Sequence, residues 1–321
     1  MVLAEAIELA NAFSLPGFFS DDATLTEERR RNEEAIGLLM AAWFEAPAGQ
    51  ETFSFDLVRA LADRNRTTCD AYGADRLRDS NGINLQRRLP DKDLIHAVAK
   101  LQRRRDTQVA RSAGAGAHDL GIAMAEAPFK GAVMGFDIET TDRNPDRGYI
   151  INLGMAFMEL KADDIPREGH AAYFGIPEIY REQGVPLSDI HHISWADLDG
   201  KTPFREDKRV QKALLKAFCK MPYMAHNAAF EDSWLMLHLD GYAEARKAGK
   251  VTIIDSRDIC RRIDVDGRSL PREAFPNTLE NWARRRGTLR PDEKERHLGL
   301  DDVFLMLRTV QAELVLRNML A

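Results

Sequence analysis

The pattern of apolar and polar positions changes once along the chain, near residue 130. Before it, apolar residues recur at helical spacing. Ile36, Leu39, Met40 and Trp43 line one face, and Leu94, Ile95, Val98 and Leu101 line another. Thr24 with Glu27 fits a capping box ahead of the first helix. Asp91, after Pro90, reads as the N-cap of the second. Beyond residue 130 the apolar positions run together. "AVMGFDI" (132–138), "YIINLGMAFMEL" (149–160) and "HAAYFGI" (170–176) predict three strands, with Asn144, Pro145 and Gly148 turning the chain between the first two. A helix near Arg209–Lys220, a strand at "PYMAHNA", a helix from Phe230 and a strand at "VTIIDS" (251–256) follow. Helices near Leu279–Arg286 and from Leu300 to about Arg317 complete the pattern. Three consecutive strands, then alternating helices and strands, predict an α/β fold: a mixed sheet flanked by helices. It is preceded by an all-helical N-terminal module. The stretch "RSAGAGAHDLG" from Arg111 is Gly/Ala-rich and reads as a linker. The expected division is a helical module of unassigned role over 1–111, a linker over 112–130 and the α/β domain over 131–321.

The 321 residues are 44% hydrophobic and 30% charged, which suits a globular protein with a substantial core. A net charge of −6 is unpromising for a nucleic-acid binder, but it is unevenly spread. Residues 1–56 are strongly acidic, 57–111 are basic and 131–321 are mildly acidic. A basic segment of this kind either faces phosphates or, more commonly, forms a solvated helix face. Cys69, Cys219 and Cys260 lie too far apart for a zinc motif or a disulfide framework, so a reducing, cytoplasmic setting is expected. The opening stretch carries Glu5 and Glu8 without a basic residue, unlike a secretion signal, and no apolar run is long enough to span a bilayer.

The chemistry lies in the acids. Asp137 and Glu139 are two apart at the end of a strand, so both point to one face, where they are costly unless something positive joins them. Glu231 and Asp232 occupy a first helical turn, which favours carboxylates. Capping explains those two, but not the His226-Asn227 pair before them. His297 stands five residues before Asp302. Leu300, Val303, Phe304 and Leu307 form the apolar side of that helix, and Asp302 is turned about 100° from its sequence neighbours. Phosphodiester hydrolysis asks for such a set. Two divalent ions about 3.5–4 Å apart neutralise the attacking and leaving oxygens. Mg2+ and Mn2+ take oxygen ligands, and a base titrating near neutrality removes the proton of water.

Asp137-x-Glu139, His226-Asn227-Ala228-Ala229-Phe230-Glu231, and His297 five before Asp302 together resemble the three motifs of the DEDDh, or DnaQ-like, 3′–5′ exonucleases. That family is typified by the proofreading epsilon subunit of bacterial DNA polymerase III. "DIHHISWADLDGKTPF" (189–204), "TIIDSRDICRRI" (252–263) and "LENWARRRG" (279–287) resemble its connecting segments, so the likeness spans about residues 131–318. It implies an RNase H-like sheet and two bound Mg2+ or Mn2+ ions. Asp137 would bridge both ions, Glu139 and Asp302 would hold the nucleophile-side ion, Glu231 would reach the second, and His297 would be the base. Asp232 is the alternative third acid.

Thr140, Thr141, Asn227 and Phe230 are the candidates for substrate contact. Asn227 also reads as a scaffold turn and Phe230 as core. Three positions depart from the family pattern: Glu231 replaces Asp, Asp142 replaces a glycine that lies against the terminal nucleotide, and Gly299 replaces Ala, a change expected to be harmless. Leu298 stands where the sister branch has tyrosine. His191 and His192 read as loop residues, and Arg284–Arg286 as either phosphate contacts or a solvated helix end. The implied function is release of nucleoside monophosphates from the 3′ end of DNA, single-stranded or frayed. RNA trimming is one alternative. A weakly active interaction module is another, with the N-terminal module recruiting a polymerase or other protein. The expected partner is nucleic acid, DNA before RNA.

Overall fold

The computed structural model describes residues 22–46, 55–72 and 131–320. The helix anticipated after Asp91 and the Gly/Ala-rich linker lie outside the described residues. Five strands form one sheet: β1 (Ala132–Thr140), β2 (Ile150–Glu159), β3 (Arg167–Tyr173), β4 (Tyr223–Ala225) and β5 (Ile253–Asp255). Their spatial order is β3-β2-β1-β4-β5. The β1–β2 and β2–β3 pairs are antiparallel, and the β1–β4 and β4–β5 pairs are parallel. Short turns suffice for the antiparallel pairs, whereas the parallel ones need crossovers. This is the mixed sheet that the sequence pattern predicts.

Helices cover both faces. They are α1 (Asp22–Glu45), α2 (Asp56–Tyr72), α3 (Lys208–Lys220), α4 (Ala229–His238), α5 (Tyr242–Lys247), α6 (Ser256–Ile263), α7 (Leu279–Arg286) and α8 (Gly299–Leu316). Single helical turns at Ile179–Gln183, Ser188–His191 and Trp195–Leu198 join β3 to α3. The alternation of β1 divides the core. Met134, Phe136 and Ile138 meet Phe218 of α3 and Trp234 of α4 on one side. Val133 meets Trp282 of α7 and Val303 and Leu307 of α8 on the other. Leu39 and Trp43 of α1 and Val58 and Leu61 of α2 belong to the first of these cores.

The differences from the sequence pattern lie at element ends. Helix α1 starts at Asp22, so Thr24 lies inside it rather than capping it. β3 occupies 167–173, three residues earlier than expected. Asp164 accepts the Glu159 amide (2.6 Å) and pairs with Arg167 (2.7 Å), which turns the chain early. At the far end, the Gly175 amide bonds the Thr202 carbonyl outside the sheet. β4 stops at Ala225 because Asn227 takes a left-handed backbone (φ 71°), a conformation asparagine tolerates.

The loop leaving β1 is a small polar core. Asp142 is 3% exposed. It accepts the Asn144 amide (2.8 Å) and pairs with Arg147 (3.4 Å), which is fully enclosed and also pairs with Glu33 of α1 (3.2 Å). Asn65 of α2 donates to Asp146 (2.6 Å), and Arg66 donates to the Pro145 carbonyl (3.0 Å). Asp70 accepts the hydroxyls of Tyr149 (2.5 Å) and Tyr180 (2.9 Å). Asp142, the expected departure from the family pattern, is therefore turned into its own loop. Two arginines of the basic segment are likewise engaged by the protein itself. Arg66 is buried, and Arg59 pairs with Asp240 at 3.1 Å.

Candidate active site

β1 delivers Asp137 and Glu139 to the sheet face that lies under α8. The closeness of that helix follows from missing side chains. A Cβ on Gly135 would press within 2.8 Å of Val303, and one on Gly154, which pairs with Asp137, would drive into the Gly299–Leu300 backbone. A Cβ on Gly299 would come within 2.5 to 3.0 Å of the Gly154 nitrogen, Asn152 Oδ1 and the Leu153 carbonyl carbon. So Gly299, expected to be a harmless departure, is required by the approach of helix to sheet. The Gly299 amide donates to Asn152 Oδ1 (3.1 Å), which pins the start of α8 onto β2 beside Glu139. One atom each of Glu139, His297 and Asp302 lie within 4.8 Å of one another, a group able to hold a metal ion.

Asp232 and Glu231 face different ways. Asp232 accepts the Tyr242 hydroxyl (2.6 Å) and pairs with Arg246 (3.0 Å). Glu231 is 2% exposed, its Oε2 has no hydrogen-bond partner, and its charge is felt at Glu139. Burial first, then the charge of Asp137, holds the Glu231 carboxyl well above the usual range. Asp137 is shifted the same way by burial, then by Glu139 and Asp302. Burial and neighbouring carboxylates push Glu139 up to about 9 and Asp302 up to about 8. Among the described residues no lysine or arginine pairs with any of these four acids; besides backbone amides of Arg296 and His297, Asp302 faces His297 Nδ1 at 4.0 Å. A buried oxygen without a partner and four carboxylates without a counter-cation fit a site built for hard divalent cations.

His297 is half-exposed on the loop before α8, with a left-handed backbone (φ 51°). Burial lowers its pKa, leaving the ring neutral near pH 7. The threonine hydroxyls are engaged within the loop: Thr140 donates to the Asp142 carbonyl (2.6 Å), and Thr141 Oγ1 accepts the Tyr149 amide (2.9 Å). Asn227 is a scaffold turn. Its amide donates to Asp255 (3.0 Å), and its Oδ1 accepts from Arg257 (3.1 Å). Phe230 packs at the edge of the core. His226 bonds Ser256 (3.0 Å) and the Asn277 carbonyl (2.9 Å), and burial brings its pKa down to about 4. His191 bonds the Pro186 carbonyl (3.0 Å) and the Ile193 amide (3.0 Å).

Arg284–Arg286 are engaged by acids rather than forming a solvated end. Arg284 pairs with Glu280 (2.8 Å), Arg285 with Asp264 (2.5 Å), and Arg286 with Asp264 and Glu313 (both 2.7 Å). Two residues escape the sequence reading. One is Asn152, visible only as a lone amide in an apolar strand. The other is Glu295, two residues before His297, whose charge reaches Asp137, Glu139 and Asp302. Burial and Glu280 push Glu295 up to about 7.

No helix among the described residues is long and apolar enough to cross a membrane. No family model and no curated protein matches the chain. Among solved structures, a full-length 3′-exonuclease covers 60% of this chain and 84% of its own, at 14% identity and TM-score 0.42. A 3′-exonuclease solved in 3′-end-specific recognition of a histone mRNA stem-loop gives the same figures. The zinc-bound form of the E. coli ExoI–ssDNA complex covers 59% of this chain and 42% of its own, at 14% identity and TM-score 0.43. The likeness is distant.

Proposed function

We propose that the chain is a divalent-metal-dependent 3′–5′ exonuclease of the DEDDh type, hydrolysing the terminal phosphodiester of a DNA strand and releasing nucleoside monophosphates. One observation carries this reading. Asp137, Glu139, Glu231 and Asp302 converge without a counter-cation, beside a histidine that is neutral near pH 7. These four acids would hold Mg2+ or Mn2+, Glu231 being the third acid because Asp232 is committed to Arg246 and Tyr242. Bound there, such ions neutralise the charge that builds on the attacking and leaving oxygens. His297, half-exposed at the rim, takes the proton of the attacking water. Asn152 and the glycine contact of α8 with β2 fix Asp302 against Glu139. The loop holding Thr140 and Thr141 sets the strand exit beside them, so the 3′ end would meet that loop's backbone rather than the two hydroxyls.

The test is a panel of end-labelled single- and double-stranded DNA and RNA with Mg2+, Mn2+ or chelator. Wild type is expected to shorten strands from the 3′ end only with metal. Asp137→Ala is expected to lose activity by at least about a thousandfold with its melting temperature not lowered, since a buried, repelled acid is removed. Equal activity in Asp137→Ala would refute the site. Faster turnover of RNA would move the substrate from DNA to RNA.

A further inference from the structure

A cleft of about 600 Å³ opens between α6 and the loop that leads into α7. Its walls include Arg257, Arg261, Arg268 and Arg272, with Phe275 at the edge. Phe275 is 68% exposed and held in a left-handed backbone (φ 47°) by the end of a 3-10 turn, Arg272–Ala274. An aromatic ring so placed is not core material.

The nearby acids leave Arg268 and Arg272 unmatched. Asp264 is taken by Arg285 and Arg286, Asp266 by Arg286 (2.6 Å), and Asp258 by Arg261 (3.0 Å). Glu273 does not line the cleft. Among the described residues, Arg268 and Arg272 make no ion pair. Arg257 Nη1 donates to Asn227 (3.1 Å), its buried Nε has no hydrogen-bond partner, and Asp255 and Asp258 act on its charge. Leu270, 42% exposed, adds apolar surface to the same wall.

The cleft is also wired to the proposed active site. Arg257 holds the side chain of Asn227, and the Asn227 carbonyl accepts the Phe230 amide (2.8 Å) one residue before Glu231. Asn277, in the wall, binds His226 next door through its carbonyl. A strand with its 3′ end at the acids needs a path outward, and the cleft offers basic groups joined to the turn before α4 through Arg257 and Asn227. Positive grooves with an exposed aromatic ring are how proteins hold single strands, the charges tracking phosphates and the ring stacking a base.

We propose that this cleft is a second nucleic-acid subsite, gripping the backbone of a single strand upstream of its 3′ terminus and stacking one base on Phe275. The proposal rests on the exonuclease reading for the location of the 3′ end. It can be tested separately, because binding needs no turnover.

The full-length chain is compared with Arg268→Gln/Arg272→Gln, Arg268→Glu/Arg272→Glu and Phe275→Ala. Fluorescent 20-residue single strands of DNA and RNA, and a duplex of the same length, report binding by anisotropy over a salt series. The nitrophenyl ester of thymidine monophosphate, too short to reach the cleft, reports the hydrolytic site alone. The glutamine pair is expected to weaken strand binding at least about tenfold and to flatten the plot of log affinity against log salt by about 0.7 per charge removed. Phe275→Ala is expected to weaken binding about tenfold with the salt slope unchanged. Ester hydrolysis by all variants should match wild type. Strand affinity and salt slope equal to wild type in both arginine pairs would overturn the subsite. If wild type hydrolyses neither ester nor strand but the variants still lose strand binding, the subsite stands and the exonuclease reading falls. DNA and RNA strands binding alike identifies the backbone as the ligand, as proposed. Strong preference for duplex over either single strand would overturn it.

Discussion

Glu231 and Asp232 are adjacent in sequence and differ by one methylene, yet the fold gives them opposite tasks. A helical step of about 100° turns Asp232 onto Arg246 and Tyr242, where its charge is matched. It turns Glu231 into a cluster where nothing matches it. The cost of that cluster has a pH signature. Unfolded carboxyls lose their protons near pH 4, whereas in the fold Asp302 holds its proton to about 8 and Glu139 to about 9. Between those limits the folded state binds more protons, so metal-free stability falls as pH rises. His226, held down to about 4, acts in the opposite sense below about pH 6.5, so the acids are best read above neutrality. In chelator, the melting temperature is expected to fall between pH 7 and 9. Glu139→Gln should flatten that fall, and Mg2+ or Mn2+ should abolish it by binding the charged form. A melting temperature that rises over this range in chelator would contradict a repelled, uncompensated cluster.

The spacing of α8 from the sheet decides whether the acids meet at all. Gly135, Gly154 and Gly299 clear the ground beneath that helix, and Asn152 fastens its first turn. Gly299→Ala would force the helix off β2. It should cost about 1–3 kcal/mol by overpacking and, by shifting Asp302 about 1 Å, about a hundredfold in turnover. Asn152→Ala leaves the gap intact but unfastens the turn, and should lower turnover with less loss of stability. Comparing melting temperatures and rates of the two variants checks this. Wild-type activity in Gly299→Ala would show that the close contact is dispensable. Element identity was legible because apolar runs and helical spacing are local signals: β1, β2, α3, α7 and α8 sit where the pattern places them. Element ends were not, because side-chain bonds such as Asp164 to Arg167 fix them through space. The candidate acids could be named for a related reason, their order being linear, whereas Glu295 needs the folded loop to bring it near. The Arg284–Arg286 run misleads in sequence because its partners Asp264 and Glu313 are remote along the chain.

At the scale of the molecule, α1 and α2 share a core with the sheet and grip the loop leaving β1. Removing one partner of an enclosed pair such as Glu33–Arg147 costs about 3–5 kcal/mol. Residues 131–321 made without the two helices should therefore melt lower and turn over more slowly, with the strand exit beside Glu139 unsupported. Made as two polypeptides, 1–80 and 131–321 should copurify and regain activity, and Glu33→Ala with Asn65→Ala should separate them. Full activity and an unchanged melting temperature in 131–321 alone would show that the helices are passengers. The loop around Asp142 thus works as a clasp between two stretches of gene. A rearrangement that carried off the acids without the first two helices would deliver a catalytic half that still needs its other half supplied, as a subunit needs its mate.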